Sequence, residues 1–257
     1  MSQDFSPRWP LEEFDPALPA MIEPSRHIRP RDVPEHCVIC FFGEIVEKVR
    51  REHSAKLLSR RAWEDGRHPI YEITFEGKRL AFFQPGVGAP MAAGLLEETI
   101  ALGCRKFIAC GGAGNLRPNT PMGHLIIPTA AVRDEGTSYH YAPPARQIDA
   151  DPGVTEVIAE VLTREERPFL TGTTWTTDAP YRETPEKVAR RRDEGCLTVD
   201  MEASAFMAVA RFRGVKFGQI LYSGDDLSGE VWDNREWNRS TIRAELFRLA
   251  AKACLQL

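Results

Sequence analysis

The chain has 257 residues, enough for one large α/β domain. Its formal charge of −4 carries no basic excess of the kind nucleic-acid binding leaves in a composition. No apolar run approaches the roughly 20 residues that a bilayer-spanning helix needs, so neither nucleic acid nor membrane is an expected partner.

The N-terminus, MSQDFSPRWPLEEFDPALP, has acids and prolines and no apolar core of a signal peptide. A cytoplasmic protein is expected. The six scattered cysteines agree, reading as reduced, buried thiols. Residues 1–35 are rich in proline and charge and read as an arm; 36–257 read as one domain.

CVICFF (37–42) reads as a buried strand, and Glu44 to His53 as a helix. Cys37 and Cys40 have C-x-x-C spacing, but residues three apart in a strand point to opposite faces. With no second pair, no metal site is expected. LLSRRAW and IYEITFEGKRLAFFQ read as strands, the latter a hairpin turning at Glu76-Gly77-Lys78. PGVGAP (85–90) turns into a helix ending at Gly103. Gly86 and Gly88 lack the third glycine of a dinucleotide fingerprint, where Met91 stands, so a tight turn is expected.

FIAC (107–110) reads as a strand opening into a glycine-rich loop at Gly111, Gly112, Ala113 and Gly114. Bare N–H groups there suit an anion, yet no cation lies between Ala109 and Leu116. HLIIPTAAVRDEGTSYHY reads as extended, 152–164 as helical, and PFLTGTTWTT as extended. A polar stretch then leads to TVDMEASAFMAVARFRG, read as a helix stopping at Gly214. VKFGQILYS is the last buried strand. A loop, GDDLSGEVWDNREW, leads to an amphipathic C-terminal helix. Alternating strands and helices mean an α/β sheet covered on both faces, with ligands at the carboxyl ends of strands.

Two acidic sites stand out. Glu202 sits among apolar neighbours, either as part of a solvated helix start capped by Asp200 or as a pocket carboxylate that binds vicinal sugar hydroxyls. Asp225 and Asp226 follow the last strand, as a turn or cap or as a general acid. No G-x-S-x-G or H-E-x-x-H motif is present.

Five stretches in order, GVGAPMAAGLLEETIALG, FIACGGAGNLRP, LIIPTAAVRDEGTSYHYAP, TTDAPYRE and TVDMEASAFMAVARFRGV, resemble the nucleoside phosphorylase-I family. The resemblance runs from about His27 to the last helix, and the third stretch is especially like uridine phosphorylases. It implies a three-layer α/β/α sandwich with a central twisted mixed sheet. It also implies cleavage of the bond between ribose and base, with no cofactor or metal.

Residue by residue, the resemblance puts Met201 and Glu202 on the ribose and Asp225 as the acid that protonates the leaving base, with Asp226 next. Arg235 would orient that acid. His27, or less directly His36, would reach the ribose of a neighbouring subunit, implying a homodimer or a hexamer built as a trimer of dimers. At the base, Arg182 matches but the family's glutamine is absent and Pro180 replaces the stacking aromatic. Tyr181 or Trp175 would stack instead, or else pack the core.

The phosphate site departs from the pattern. Ile45 and Ala109 stand where arginines belong, and Gly112 where a Ser or Thr belongs. Gly43 or Phe41 marks an altered first loop. Arg67, Arg60 or Arg61 stands near the position of an arginine donated by a neighbour. Charge-assisted hydrogen bonds are worth about 1.5–3 kcal/mol each, so two lost arginines weaken phosphate binding by about two to four orders of magnitude. Glu44 lies close to the residue that activates water in hydrolytic members. The sequence therefore favours a nucleosidase acting on a purine or related base, water ahead of phosphate. The alternatives are phosphorolysis through Arg60, Arg61 or Arg67, and a non-catalytic nucleoside-binding protein.

Overall fold

The computed structural model describes residues 9–235 and 242–257. Residues 1–8 of the arm, and 236–241 at and after the end of the acidic loop, lie outside the described residues.

A short helix, α1 (Pro24–His27), precedes β1 (His36–Cys40) and α2 (Gly43–Glu52). Strands β2 (Lys56–Trp63), β3 (Gly66–Phe75) and β4 (Lys78–Phe83) form an antiparallel meander. The β3–β4 turn is Glu76-Gly77, both at positive φ (47° and 77°), the pair a two-residue hairpin requires. Then come α3 (Ala89–Leu102), β5 (Lys106–Asn115), β6 (Leu125–Asp134), β7 (Gln147–Asp149), α4 (Pro152–Arg164), β8 (Phe169–Thr177) and α5 (Pro185–Asp193). The chain closes with β9 (Cys196–Asp200), α6 (Ala203–Arg213), β10 (Lys216–Asp226) and α7 (Ile242–Cys254).

The strands form one mixed sheet in the order β2-β3-β4-β1-β5-β10-β6-β8-β9, with β7 on β6. β9 returns to pair antiparallel with the end of β5, so that half of the sheet curls closed. Alternation along the central strands supplies two cores. Cys37, Ile39, Phe107 and Ala109 face α3 and α6; Val38, Cys40, Ile108 and Cys110 face α2, α4 and α7. This is the expected α/β/α layering. Cys37 and Cys40 lie on opposite faces, and all six cysteines are buried free thiols. Among the described residues no helix is long and apolar enough to cross a membrane.

The second half of the arm docks on the domain. Ile28 is buried in the α3–α6 core, and Arg213 bridges Glu23 (3.1 Å) and Glu97 (2.7 Å).

Three local expectations change. The glycine run is not a loop: β5 continues through Gly111–Asn115, paired in register with β10 from Leu221 to Ser223. Its glycines serve close approach, since a Cβ on Gly111 would lie 3.0 Å from Phe41 and one on Gly112 3.1 Å from Tyr222. The VDMEAS stretch is not helical throughout: TVD ends β9 and the helix begins at Ala203. Beyond Asp134 the chain leaves the extended state for a 3-10 turn at Thr137–His140, held where Glu135 accepts the Ser138 N–H (2.9 Å).

Gly218 in β10 lets α4 lie against the sheet, because a Cβ there would come within 2.5 Å of Val154 and 2.7 Å of Ile158. Gly218→Val is therefore expected to destabilise the fold by about 1–3 kcal/mol, the usual cost of overpacking, read as a lowered midpoint in urea unfolding.

Candidate active site

At the carboxyl ends of β1, β5, β9 and β10 lies a cavity of about 330 Å³. Glu202, 6% exposed, reaches it from the two-residue link between β9 and α6. Asp200 holds that link. Its Oδ2 accepts the N–H groups of Glu202 (3.1 Å) and Ala203 (2.6 Å), while Oδ1 accepts the hydroxyl of Thr176 (2.9 Å). Asp200 thus caps the start of the helix, which is buried and not solvated as one reading had it, while the Glu202 carboxylate lines the cavity.

Glu202 Oε1 accepts a 2.6 Å hydrogen bond from the Gly88 N–H. Gly86 and Gly88 both have positive φ (76° and 95°), so the glycine turn before α3 is what aims that N–H. Burial, and then the Asp200 charge, push the Glu202 carboxyl up to about 8; burial raises Asp200 to about 6. A carboxyl so placed gains from any ligand that offers it hydroxyl donors.

At another part of the wall stand Asp225 and Glu183. Asp225 Oδ2 accepts the Trp232 indole N–H (2.7 Å). Burial, then the Asp225 charge, push Glu183 up to about 7. Sequence reasoning passed over Glu183. Its signal was an acid at the end of TTDAPYRE with Pro180 three residues before, and both residues line the cavity.

The remaining sequence candidates divide. Met201, Gly111, Gly112 and Ala113 line the cavity. Arg235 does not orient Asp225. Its guanidinium binds Asp226 (2.7 Å), the Ser223 hydroxyl (3.0 Å) and two backbone carbonyls, because a bulge at the end of β10 turns Asp226 towards Asn115 and away from the cavity. Trp175 is wholly buried, donates to Asp134 (3.0 Å) and lies beneath Arg191, so it is core and cannot stack on a ligand. Tyr181 is 98% exposed and, with Arg182, stands outside the cavity wall.

His27 is exposed on α1 and borders a separate groove with Arg61 and Trp63. Arg61 is paired with Glu98 (3.0 Å). Arg67 and Gly43 border another hollow beside Gln84. Ile45 and Ala109 are core residues. In place of a glycine loop, Phe41 and Phe42 form part of the cavity wall, with Arg243 beside them. Glu44 carries an ion pair to Arg243 and is not part of that wall.

Residues 35–256 match the model of the phosphorylase superfamily. The chain belongs to that family. It is 31% identical over 157 residues to a guanosine phosphorylase of Halorubrum lacusprofundi, a match covering 60% of this chain and 64% of that protein. A uridine phosphorylase of Salmonella typhimurium is 26% identical over 193 residues, covering 69% and 74%. In structure the chain is similar to a uridine phosphorylase of Vibrio fischeri, with TM-score 0.77 and 22% identity over 90% of this chain and 95% of the other. Membership of the phosphorylase superfamily thus agrees with the five matching stretches and with the layered fold.

A buried carboxyl raised to about 8 retains its proton in the folded state over a range where the unfolded chain has lost it, so its contribution to stability falls from about pH 4.5 upward and levels off above pH 8. Glu202→Gln keeps an acceptor for Gly88 and removes that penalty. The variant is expected to melt higher than the parent at pH 8, with the difference shrinking towards pH 5 in calorimetry.

Proposed function

We propose that this phosphorylase-superfamily chain cleaves the N-ribosyl bond of a nucleoside, a purine or related base being favoured. The observation that carries the reading is the buried Glu202 carboxylate, fixed by Gly88 and open to the same cavity as Asp225 and Glu183. Glu202 would accept the ribose hydroxyls, with Met201 beside the sugar. Hydroxyl donors from the sugar would lower its pKa, and the ionised form then favours the oxocarbenium-like transition state that develops as the bond breaks.

Asp225 and Glu183 would face the base. With its carboxyl pushed up to about 7, Glu183 is partly protonated near neutral pH, and that proton could pass to a purine ring nitrogen as the base departs. In its ionised form Glu183 accepts N–H donors instead, which a 6-oxopurine offers. The relationship to a guanosine phosphorylase supports this direction. His27 enters the reading only as a residue offered to a second copy of the chain, in a homodimer or hexamer.

Water is the favoured acceptor from the sequence because Ile45 and Ala109 replace phosphate arginines and Glu44 lies near a water-activating position; the Glu44 carboxylate pairs with Arg243.

Free-base release from a panel of purine and pyrimidine ribonucleosides tests the reading. Asp225→Asn and Glu183→Gln are each expected to lower kcat by about 10²–10⁴-fold. The fall in kcat on the alkaline side of about pH 7 should disappear in Glu183→Gln, whose charged neighbours are Asp225 and Lys187. Tight nucleoside binding with no base released would instead make the chain a binding protein.

A further inference from the structure

Beyond β10 the chain doubles back on itself. A backbone bridge closes the turn, the N–H groups of Asp226 and Asp233 each donating to the other's carbonyl (2.8 and 3.0 Å). Alternation about that pair places Asp225, Leu227, Trp232 and Asn234 on one face and Asp226 and Asp233 on the other. The contacts agree. Asp225, Leu227 and Asn234 line the cavity, whereas Asp226 turns to Asn115 (3.0 Å) and Arg235 (2.7 Å).

The turn is braced independently of Trp232. The Leu227 N–H donates to the Asn115 carbonyl (2.9 Å), Arg192 to the Ser228 carbonyl (3.0 Å) and the Arg235 N–H to Asp233 Oδ1 (2.7 Å). Backbone register thus carries the indole to the cavity face, at its mouth. Core packing does not account for the ring, which is 54% exposed. Its N–H is nevertheless committed, to Asp225 Oδ2 at 2.7 Å. The other oxygen, Oδ1, lies towards Gly114, where a Cβ would be 3.8 Å from it, and Gly114 lines the cavity. One carboxylate oxygen is held and the other is presented.

That end of the cavity has no ring of its own. Phe41 and Tyr222 lie against Gly111 and Gly112, while the neighbours of Gly114 are Leu227, Val199 and Asp225. A flat heteroaromatic base seated beside Asp225 and Glu183 would meet acids and aliphatic side chains on the wall. The indole stands at the rim of the same face, and an aromatic ring offers a base a stacking surface whatever its substituents.

We propose that Trp232 is the positioning residue of Asp225 and the aromatic cover of the base, its N–H holding the carboxylate while its ring lies against the base plane. The proposal rests on the nucleoside reading above. The bond to Oδ2 keeps Oδ1 aimed at the base, where the proton shared with Glu183 is delivered. The ring contributes binding and not chemistry, so the two roles separate in kinetics.

The test uses the full chain and a ribonucleoside that the parent cleaves. Trp232→Phe keeps a ring and loses the donor; Trp232→Ala loses both. Trp232→Phe is expected to lower kcat about 2- to 12-fold, the equivalent of one hydrogen bond of about 0.5–1.5 kcal/mol, with KM within about threefold of the parent. Trp232→Ala should lower kcat to a similar degree and also raise KM about 5- to 150-fold, the equivalent of one base–aromatic stack of about 1–3 kcal/mol. Tryptophan emission of the parent should change when the ribonucleoside binds, and that change should be missing in Trp232→Phe. The emission measurement on the parent, with ligand against without, serves if the Ala variant does not fold. Values of kcat and KM unchanged in both variants would overturn the proposal, as would an emission change of equal size in the parent and in Trp232→Phe. A parent that neither binds nor cleaves any nucleoside would sink the nucleoside reading and this assignment with it, whereas an active parent matched by its variants would sink the assignment alone.

Discussion

A carboxylate withdrawn from water is the constraint around which this molecule is arranged. An ionised Glu202 buried without donors would be costly, and the chain supplies a donor from its own backbone, the Gly88 N–H. That contact joins two segments 114 residues apart in sequence. It requires the positive-φ glycine turn before α3, the Asp200 cap that fixes the β9–α6 link, and the closure of β9 onto β5 that brings the two together. Backbone donors at Gly88 and Met201 still leave acceptor positions of the carboxylate open. The residual acceptor capacity is what a polyhydroxylated ligand can use, so the cost borne in the empty chain becomes affinity and orientation in the complex.

The same economy of donors organises the rest of the cavity. Acids stand on the flank formed by β9, the end of β10 and the Pro180–Glu183 turn. Arg243, the one cation on the wall among the described residues, comes from the helix that closes the chain and lies beside Tyr222. Phe41 and Phe42 occupy the place of a glycine loop and give the guanidinium a ring face to lie on. Ile45 and Ala109, which stand where arginines belong in the resemblance, are core residues.

Much of this was legible in the sequence because it depends on local pattern. The alternation in CVIC and FIAC placed successive residues in two different cores, and Gly103 and Gly214 ended the helices where expected, both at positive φ. The M-E pair was legible as a motif of unusual polarity in an apolar setting. Other features depend on contacts distant in sequence. Gly111 and Gly112 read as a loop because their reason for being small, the rings of Phe41 and Tyr222, lies elsewhere in the chain. Trp175 was ambiguous until its burial under Arg191 was seen. Arg235 was near Asp225 in sequence, but the bulge in β10 handed it to Asp226. Arg243 sits on an amphipathic helix where one more arginine is unremarkable; only the tertiary fold sets it beside Tyr222.

The most direct measurement is the titration of the Glu202 side chain itself, followed by carbon-13 NMR of labelled glutamate and assigned by its loss in Glu202→Gln. A midpoint near pH 8 in the free chain, moving down when a ribonucleoside is bound but not when its 2′,3′-dideoxy analogue is, is the predicted result. A midpoint near the ordinary glutamate value of 4.5, or one indifferent to the sugar hydroxyls, would contradict the account.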